Sequence, residues 1–371
     1  MKRILVVVYQ ANLMLKVALI GATGAVGQEF VLTLNKHPWF ELSAVVSSSR
    51  SAGKKYVDSL RDPSSAILRW HSRNEIPDYV RDMIVTTVDR IRPESFDLVF
   101  TALESDDALK IEPNFAKSVP VISTAAAFRY ESDVPIIIPG INEDHIDLLK
   151  VQKRQRKWEG FICPLPNCTT TGLVITLKPI MESAGLKSVI MTSMQALSGA
   201  GRSPGVVALD IMDNVIPYIP KEEEKVQVET KKILGKFDTD SVSPADLKVS
   251  CTCTRVPVLD GHTEAVFVET EKPLEPDDVK RLMLNFSDSV TIRKLPSAPR
   301  DYIIVHDDPT RPQPRVDREI NDGMTTVVGR LRKDTVFDHG IKYVLLSHNE
   351  KMGSAKGAVL MAELLKDKGI L

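Results

Sequence analysis

A surplus of charge, a long apolar run and a cysteine framework are all missing from this chain, and each absence narrows what it can be. Among its 371 residues, 48 lysines and arginines stand against 49 aspartates and glutamates, a formal net charge of −1. Nothing in that balance asks for a nucleic-acid or membrane partner. No segment is apolar for long enough to span a bilayer. The four cysteines, Cys163, Cys168, Cys251 and Cys253, are too few for a disulfide framework in so long a chain, which points to a reducing compartment and a cytoplasmic location. They pair as C-x4-C and C-x-C, not as the C-x2-C of a zinc knuckle, and no metal site is expected.

What is present is ordinary for a globular protein. With 43% apolar and 26% charged residues, the length exceeds one simple core and suggests two domains. The first ten residues have a basic start and an apolar run like a signal peptide, but the run breaks at Tyr9-Gln10-Ala11-Asn12. The next apolar stretch, Leu15 to Ile20, leads straight into a glycine loop, so cleavage beyond it would destroy a core strand. Residues 1–14 are read as an extension of unassigned role.

Leu15 to Ile20 reads as a buried parallel strand, followed by Gly21-Ala22-Thr23-Gly24-Ala25-Val26-Gly27 and a helical stretch, Gln28 to Leu34. This G-x-x-G-x-x-G is a variant of the dinucleotide fingerprint. Its glycines permit a tight turn and let the backbone approach a pyrophosphate at the helix N-terminus. The bland reading is a tight strand–helix turn, and the strand–loop–helix context argues against it. The candidate cofactor residues here are Gly21, Thr23, Gly24, Ala25, Val26 and Gly27. After the next strand, Glu41 to Val46, an NAD site would carry an acid for the ribose hydroxyls. This chain offers Ser48, Ser49, Arg50 and two lysines, chemistry suited to a 2′-phosphate, so NADP is favoured over NAD. A solvated basic loop is the alternative. Further strands at Phe96–Phe100 and Val119–Ser123 alternate with a helix over Ala108–Ala116, which predicts a parallel, doubly wound Rossmann-type sheet. Thr101 and Ser123, at the carboxyl ends of those strands, become cofactor-side candidates.

The densest signal is Pro166-Asn167-Cys168-Thr169-Thr170-Thr171-Gly172. It stands between a short apolar strand and a stretch in which Leu173, Leu177, Ile180 and Met181 keep helical spacing. A cysteine there sits at a helix N-terminus, where the dipole and free N–H groups favour a thiolate and could stabilise an oxyanion. The competing reading is a small buried hydrophobe. Beyond it come a strand over Val189–Gln195, then Ser198-Gly199-Ala200-Gly201, then Arg255 and His262 with six residues between them, and a strand-like Thr263–Thr270. Together these suggest an α+β domain with a mixed or antiparallel sheet. A terminal helix over Ala355–Lys366 could return to the first domain.

Taken in order, the glycine loop, Asn167-Cys168-Thr169, Gln195, Ser198-Gly199-Ala200-Gly201, Glu222-Glu223-Glu224-Lys225 and Arg255…Gly261-His262 resemble the aspartate-semialdehyde dehydrogenase family, in its fungal and archaeal branch. The resemblance runs from about Leu15 to the C-terminus. It implies an NADP-binding domain over 15–165, completed by about 345–371, and a catalytic and oligomerisation domain over 166–344. It implies Cys168 as the nucleophile of a thioacyl-enzyme, His262 as its acid/base partner and Gln195 as the group orienting the intermediate. Arg255 would hold the substrate carboxylate bidentately, Glu222 the amino group and Lys225 the phosphate. Those two lie in a charge run that could equally be a solvated face. Asn167 would belong to the substrate site, and Ser198, Gly199 and Asn349 to the nicotinamide side. Lys356 breaks the small-residue pattern usual after Asn349. Arg129 matches an arginine of this branch and is placed with the substrate residues. The implied reaction is reversible reductive dephosphorylation of L-aspartyl 4-phosphate to L-aspartate 4-semialdehyde, on the way to lysine, threonine and methionine, by a homo-dimer or homo-tetramer that releases inorganic phosphate. A malonyl-CoA reductase of the same architecture and a catalytically silent NADP-sensing protein remain the alternatives.

Overall fold

The computed structural model describes residues 14–200 and 208–371. The extension before Met14 and Gly201 of the serine–glycine motif lie outside the described residues. Two sheets organise the chain. The first has five parallel strands in the order β2-β1-β3-β4-β5: β1 Leu15–Ile20, β2 Phe40–Val46, β3 Leu98–Thr101, β4 Val121–Ser123 and β5 Ile162–Pro164. Its crossover helices are α1 (Ala25–Thr33), α2 (Ser105–Ala116) and α3 (Asp147–Arg156). Val17, Ala18, Leu19 and Ile20 are all buried, because helices cover both faces of such a sheet and leave no polar side for the strand to show.

Helix α4 (Cys168–Ala184) leads into the second sheet, formed by β6 (Ser188–Gln195), β7 (Lys248–Arg255), β8 (His262–Glu269), β9 (Ile303–Val305), β10 (Thr326–Lys333) and β11 (Gly340–Ser347). Their order is β9-β10-β11-β8-β6-β7. The pairings mix parallel β6·β7 with antiparallel β6·β8 and β8·β11, the mixed sheet expected. Helices α5 (Glu222–Ile233) and α6 (Pro276–Ser289) complete this half. Buried and open residues alternate along β6, with Val189, Met191, Ser193 and Gln195 inside and Ile190 44% exposed. One face therefore packs on α4 and the other is open.

The last helix, α7 (Lys356–Asp367), returns to the first sheet as the sequence suggested. Leu360, Met361, Leu364 and Leu365 are buried, worth roughly 1.5–3 kcal/mol each by transfer from water. Glu363 Oε1 lies 2.7 Å from His37 Nε2, and Cys163 Sγ 3.5 Å from Met361 Sδ. The strand β7 had no clear signature in the sequence, because Ser, Thr and Lys fill its outward positions. Its register nevertheless decides where Arg255 ends up.

Candidate active site

Register along the mixed sheet brings the polar residues together. Gln195, the last residue of β6, pairs with Arg255, the last of β7. His262 opens β8 opposite Ser347 at the end of β11, and Asn349 follows two residues later. All of these stand at one edge of the sheet, and the N-terminus of α4 faces them.

Asn167 caps α4: its Oδ1 accepts from the N–H groups of Thr169 (2.9 Å) and Thr170 (3.2 Å), the usual work of an Asn N-cap. Thr171 N–H donates to Asn167 O at 3.0 Å. These three N–H groups are therefore engaged within the first turn of the helix. Cys168 Sγ lies 3.3 Å from His262 Nε2. Ala196 N–H donates to His262 Nδ1 at 3.1 Å, which fixes the ring and leaves Nε2 as the nitrogen facing sulfur. With Nδ1 accepting, the neutral ring carries its proton on Nε2, which points at the sulfur.

The expectation of a depressed thiol pKa is reversed. Burial, reinforced by the Glu222 carboxylate, pushes Cys168 up to about 12, against the pull of Arg129, Arg255 and the Thr169 N–H. Burial, with Arg255 and His348, holds His262 down to about 3. In the resting protein the pair is a neutral thiol beside a neutral imidazole. Desolvation disfavours charge on both and outweighs the helix end.

Around this pair, Gln195 Nε2 donates to Glu222 Oε1 at 3.1 Å and Asn167 Nδ2 donates to the same oxygen at 2.8 Å. Lys225 Nζ donates to Glu222 Oε2 at 3.4 Å. The run from Lys221 to Lys225 is thus not a solvated face: Glu222, the first residue of α5, points inward and is 6% exposed. Arg255 is equally buried and donates from Nη1 to Ala196 O at 2.7 Å. Arg129 Nη1 meets Glu229 Oε1 at 3.1 Å.

At the glycine loop, Gly21 has φ +89° and a Cβ there would lie 2.2 Å from Ala102 O; a Cβ on Gly27 would lie 2.2 Å from Gly21 O. Only glycine fits either place, which is the close backbone approach a pyrophosphate cradle needs. Gly24 is the N-cap of α1, no side chain caps that helix, and Ala25 and Val26 form its first turn. Its leading N–H groups suit a phosphate. Thr23 Oγ1 is 2.7 Å from Ser47 Oγ, and the exposed Ser48, Ser49 and Arg50 follow β2 beside it. The donor set fits NADP. Thr101 and Ser123 need correction as cofactor contacts. Both hydroxyls are buried and donate to Glu112 Oε1 at 2.6 Å, inside the packing of α2 on the sheet.

Ser198 Oγ accepts from Asn349 Nδ2 at 2.8 Å, while Asn349 Oδ1 accepts from Gly261 N–H at 2.9 Å. Asn349 thereby ties the turn Leu197–Ala200 to the segment before His262. A Cβ on Gly199 would stand 2.8 Å from Arg255 Nη1 and 2.9 Å from His262 Cε1, so this glycine borders the catalytic side and not only the cofactor side. Lys356, which broke the expected small-residue pattern, turns away from the site to pair with Asp322. Sequence reasoning missed Glu229 and Gly353. Glu229 lies two turns beyond Glu222 on one helical face, a periodicity that could have flagged it. Gly353 lies in the small-residue segment after Asn349 that the sequence did flag, but its contact with Cys168 is purely tertiary.

Comparison with known proteins agrees with this geometry. Residues 16–149 match the semialdehyde dehydrogenase NAD binding domain and residues 177–350 the semialdehyde dehydrogenase dimerisation domain. The chain is 45% identical to an aspartate-semialdehyde dehydrogenase of Methanothermobacter thermautotrophicus over 354 residues, 95% of this chain and 99% of that one. It is 41% identical to that of Candida albicans over 374 residues, 96% and 99% of the two chains. A solved structure of aspartate semialdehyde dehydrogenase with NADP from Candida albicans superposes with a TM-score of 0.84 at 38% identity, covering 96% of this chain and 100% of that one. Aspartate semialdehyde dehydrogenase II of Vibrio cholerae complexed with ASA gives 0.75 at 26% identity, covering 95% and 98%. With both sheets matched and relatives aligned over nearly their whole length, the chain belongs to the aspartate-semialdehyde dehydrogenase family.

Proposed function

We propose that the chain is an NADP-dependent oxidoreductase that reversibly converts L-aspartyl 4-phosphate to L-aspartate 4-semialdehyde and inorganic phosphate, in lysine, threonine and methionine biosynthesis. The observation that carries this reading is the 3.3 Å approach of Cys168 Sγ to His262 Nε2, flanked by buried Arg255 and Glu222. The Cys168 sulfur attacks the acyl carbon, the C–O bond to phosphate breaks and the thiol proton leaves with the phosphate, giving a thioacyl-enzyme. When bound, NADPH would supply the hydride to that carbon. Nε2–H of His262 gives its proton to the departing sulfur as the tetrahedral adduct collapses and the C–S bond breaks, and a solvent proton restores the ring. Gln195 orients the oxygen of the adduct through its amide. Arg255 receives the substrate's α-carboxylate with its planar fork, Glu222 the ammonium, and Lys225 the phosphate, with Asn167 and Arg129 beside them. Gly21 to Gly27, Ser48, Ser49 and Arg50 hold the dinucleotide, with Ser198, Gly199 and Asn349 on the nicotinamide side.

The division at 165/166, with 345–371 completing the cofactor domain, belongs to this proposal. So does a homo-oligomer, a dimer or a tetramer, assembled through the open face of the mixed sheet, where Ile190, Met194, Ala265, Phe267 and Val344 are at least partly exposed. A cytoplasmic location accords with the four free cysteines. The test compares phosphate-dependent NADP reduction with aspartate semialdehyde against CoA-dependent reduction with malonate semialdehyde. Activity only in the second reaction would overturn the assignment, and activity in neither would favour a sensing role.

A further inference from the structure

Helix α5 places Glu222, Lys225, Glu229 and Lys232 at i, i+3, i+7 and i+10, along one face. The first two belong to the substrate site above. The second two have no part in the chemistry, yet they are more heavily bonded. Glu229 is fully buried. Its Oε2 accepts the N–H of Asn167 at 2.6 Å, and its Oε1 accepts from Arg129 Nη1 and from Tyr130 OH, both at 3.1 Å. One turn on, Lys232 Nζ donates to the carbonyls of Arg129 (2.7 Å), Glu131 (2.9 Å) and Val134 (2.7 Å). Arg129 Nη2 donates to Thr124 O at 3.2 Å. The loop after β4 is thus bolted to α5 at several points, and the same carboxylate grips the peptide immediately before Cys168.

A buried ion pair is weak evidence of stability, since desolvating both charges offsets most of their attraction. What Glu229 supplies is registry. It spans 100 residues to Arg129 and 62 to Asn167, joining a loop of the first sheet to the cap of the cysteine helix. We infer that Glu229 is a positioning residue for the reaction: its two oxygens hold the Arg129 guanidinium and the Asn167 backbone at a fixed separation, so that cation and nucleophile meet the substrate together. This deepens the proposed function and rests on it. Arg129 faces the Cys168 sulfur closely enough to pull its thiol towards ionisation, alongside Arg255 and against Glu222.

The test is a double-mutant cycle with Glu229→Gln and Arg129→Met in the full-length protein, assayed by phosphate-dependent NADP reduction with aspartate semialdehyde. Each single variant should lose about tenfold or more in kcat/KM, with the KM for NADP little changed. The double variant should lose no more than Arg129→Met alone, because residues acting as one unit are not additive. Additive losses would overturn the inference. A second readout needs no substrate: the pH dependence of Cys168 alkylation by iodoacetamide, followed by mass spectrometry. Glu229→Gln removes a negative charge and leaves Arg129 uncompensated, so alkylation should set in at lower pH. A profile that stays put, or moves upward, would mean that Glu229 is only structural. This arm still reads if the wild-type protein proves inactive on the semialdehyde, a result that would sink the proposed function instead. Should Glu229→Gln fail to fold, Glu229→Asp keeps the charge but withdraws the carboxylate by about one bond length. Wild-type kcat/KM in that variant would refute the positioning role.

Discussion

Gly353→Ala is the sharpest perturbation the structure offers. Gly353 lies in the π-helical turn Lys351–Ala355 that leads into α7, and a Cβ there would fall 2.7 Å from Cys168 Cβ and 3.0 Å from Cys168 Cα. Carbon atoms pack at about 3.5–4.0 Å, so one side must retreat by roughly 1 Å. The first turn of α4 resists, since Asn167 caps it and Glu229 and Glu222 hold Asn167 from behind. Any movement is therefore shared between the nucleophile and the turn carrying Gly353. A misplacement of about 1 Å costs on the order of 10²-fold in rate, equivalent to about 2.7 kcal/mol of barrier. Overpacking should cost the fold itself only about 1–3 kcal/mol. Steady-state kcat and thermal unfolding, measured on the same preparation, separate the two effects. A variant with kcat within about threefold of wild type and unchanged unfolding would show that the turn does not press on Cys168, and the reasoning would fail.

Cys168→Ala should abolish turnover with the fold intact, whereas alanine at Cys163, Cys251 or Cys253 should retain most activity, as steady-state rates will report. Arg50→Ala should weaken NADPH binding by about ten-fold or more and leave NADH nearly unchanged, given roughly 1.5–3 kcal/mol per charge-assisted hydrogen bond; equal losses for both cofactors would make Arg50 structural. His262→Asn should lower kcat by about 10²–10⁴ with a smaller change in KM, while Arg255→Lys should damage mainly kcat/KM by losing the bidentate fork. A rise in KM alone for His262→Asn would reassign the histidine to binding. Stability should fall in alkali. Burial raises the thiols of Cys163, Cys251 and Cys253 above their ordinary range, Cys253 to about 12. A raised folded pKa contributes stability that is complete below the ordinary thiol value and is lost as pH rises above it, by at most ~1.4 kcal/mol per pH unit per thiol. Lys232, held down to about 8 by burial, and Lys366, also lowered by burial, oppose this against four raised thiols, Cys168 being the fourth. A thermal midpoint no lower at pH 10 than at pH 8 would contradict the assignment.

Chain-local features were legible in the sequence. The apolar run Val17–Ile20 of β1, the glycines before α1 and the Asn-Cys-Thr turn each take their meaning from neighbours a few residues away, and hydrophobic periodicity reports such neighbours directly. Residue order alone also distinguished the family, because Gln195, Arg255 and His262 recur with the cysteine turn in a fixed succession. Charge states and alliances were not legible. The helix end argued for a thiolate at Cys168, but a pKa depends on everything within a few ångströms. In the folded protein burial and Glu222 outweigh the helix. Thr101 and Ser123 stood at the expected strand ends, yet whether their hydroxyls face a cofactor or a buried acid depends on how α2 packs, and Glu112 takes both. Gly353 and Glu229 reach the site across 185 and 61 residues of chain from Cys168. Contacts at that separation exist only once both sheets are assembled, because the register of β6, β7, β8 and β11 decides which side chains share an edge.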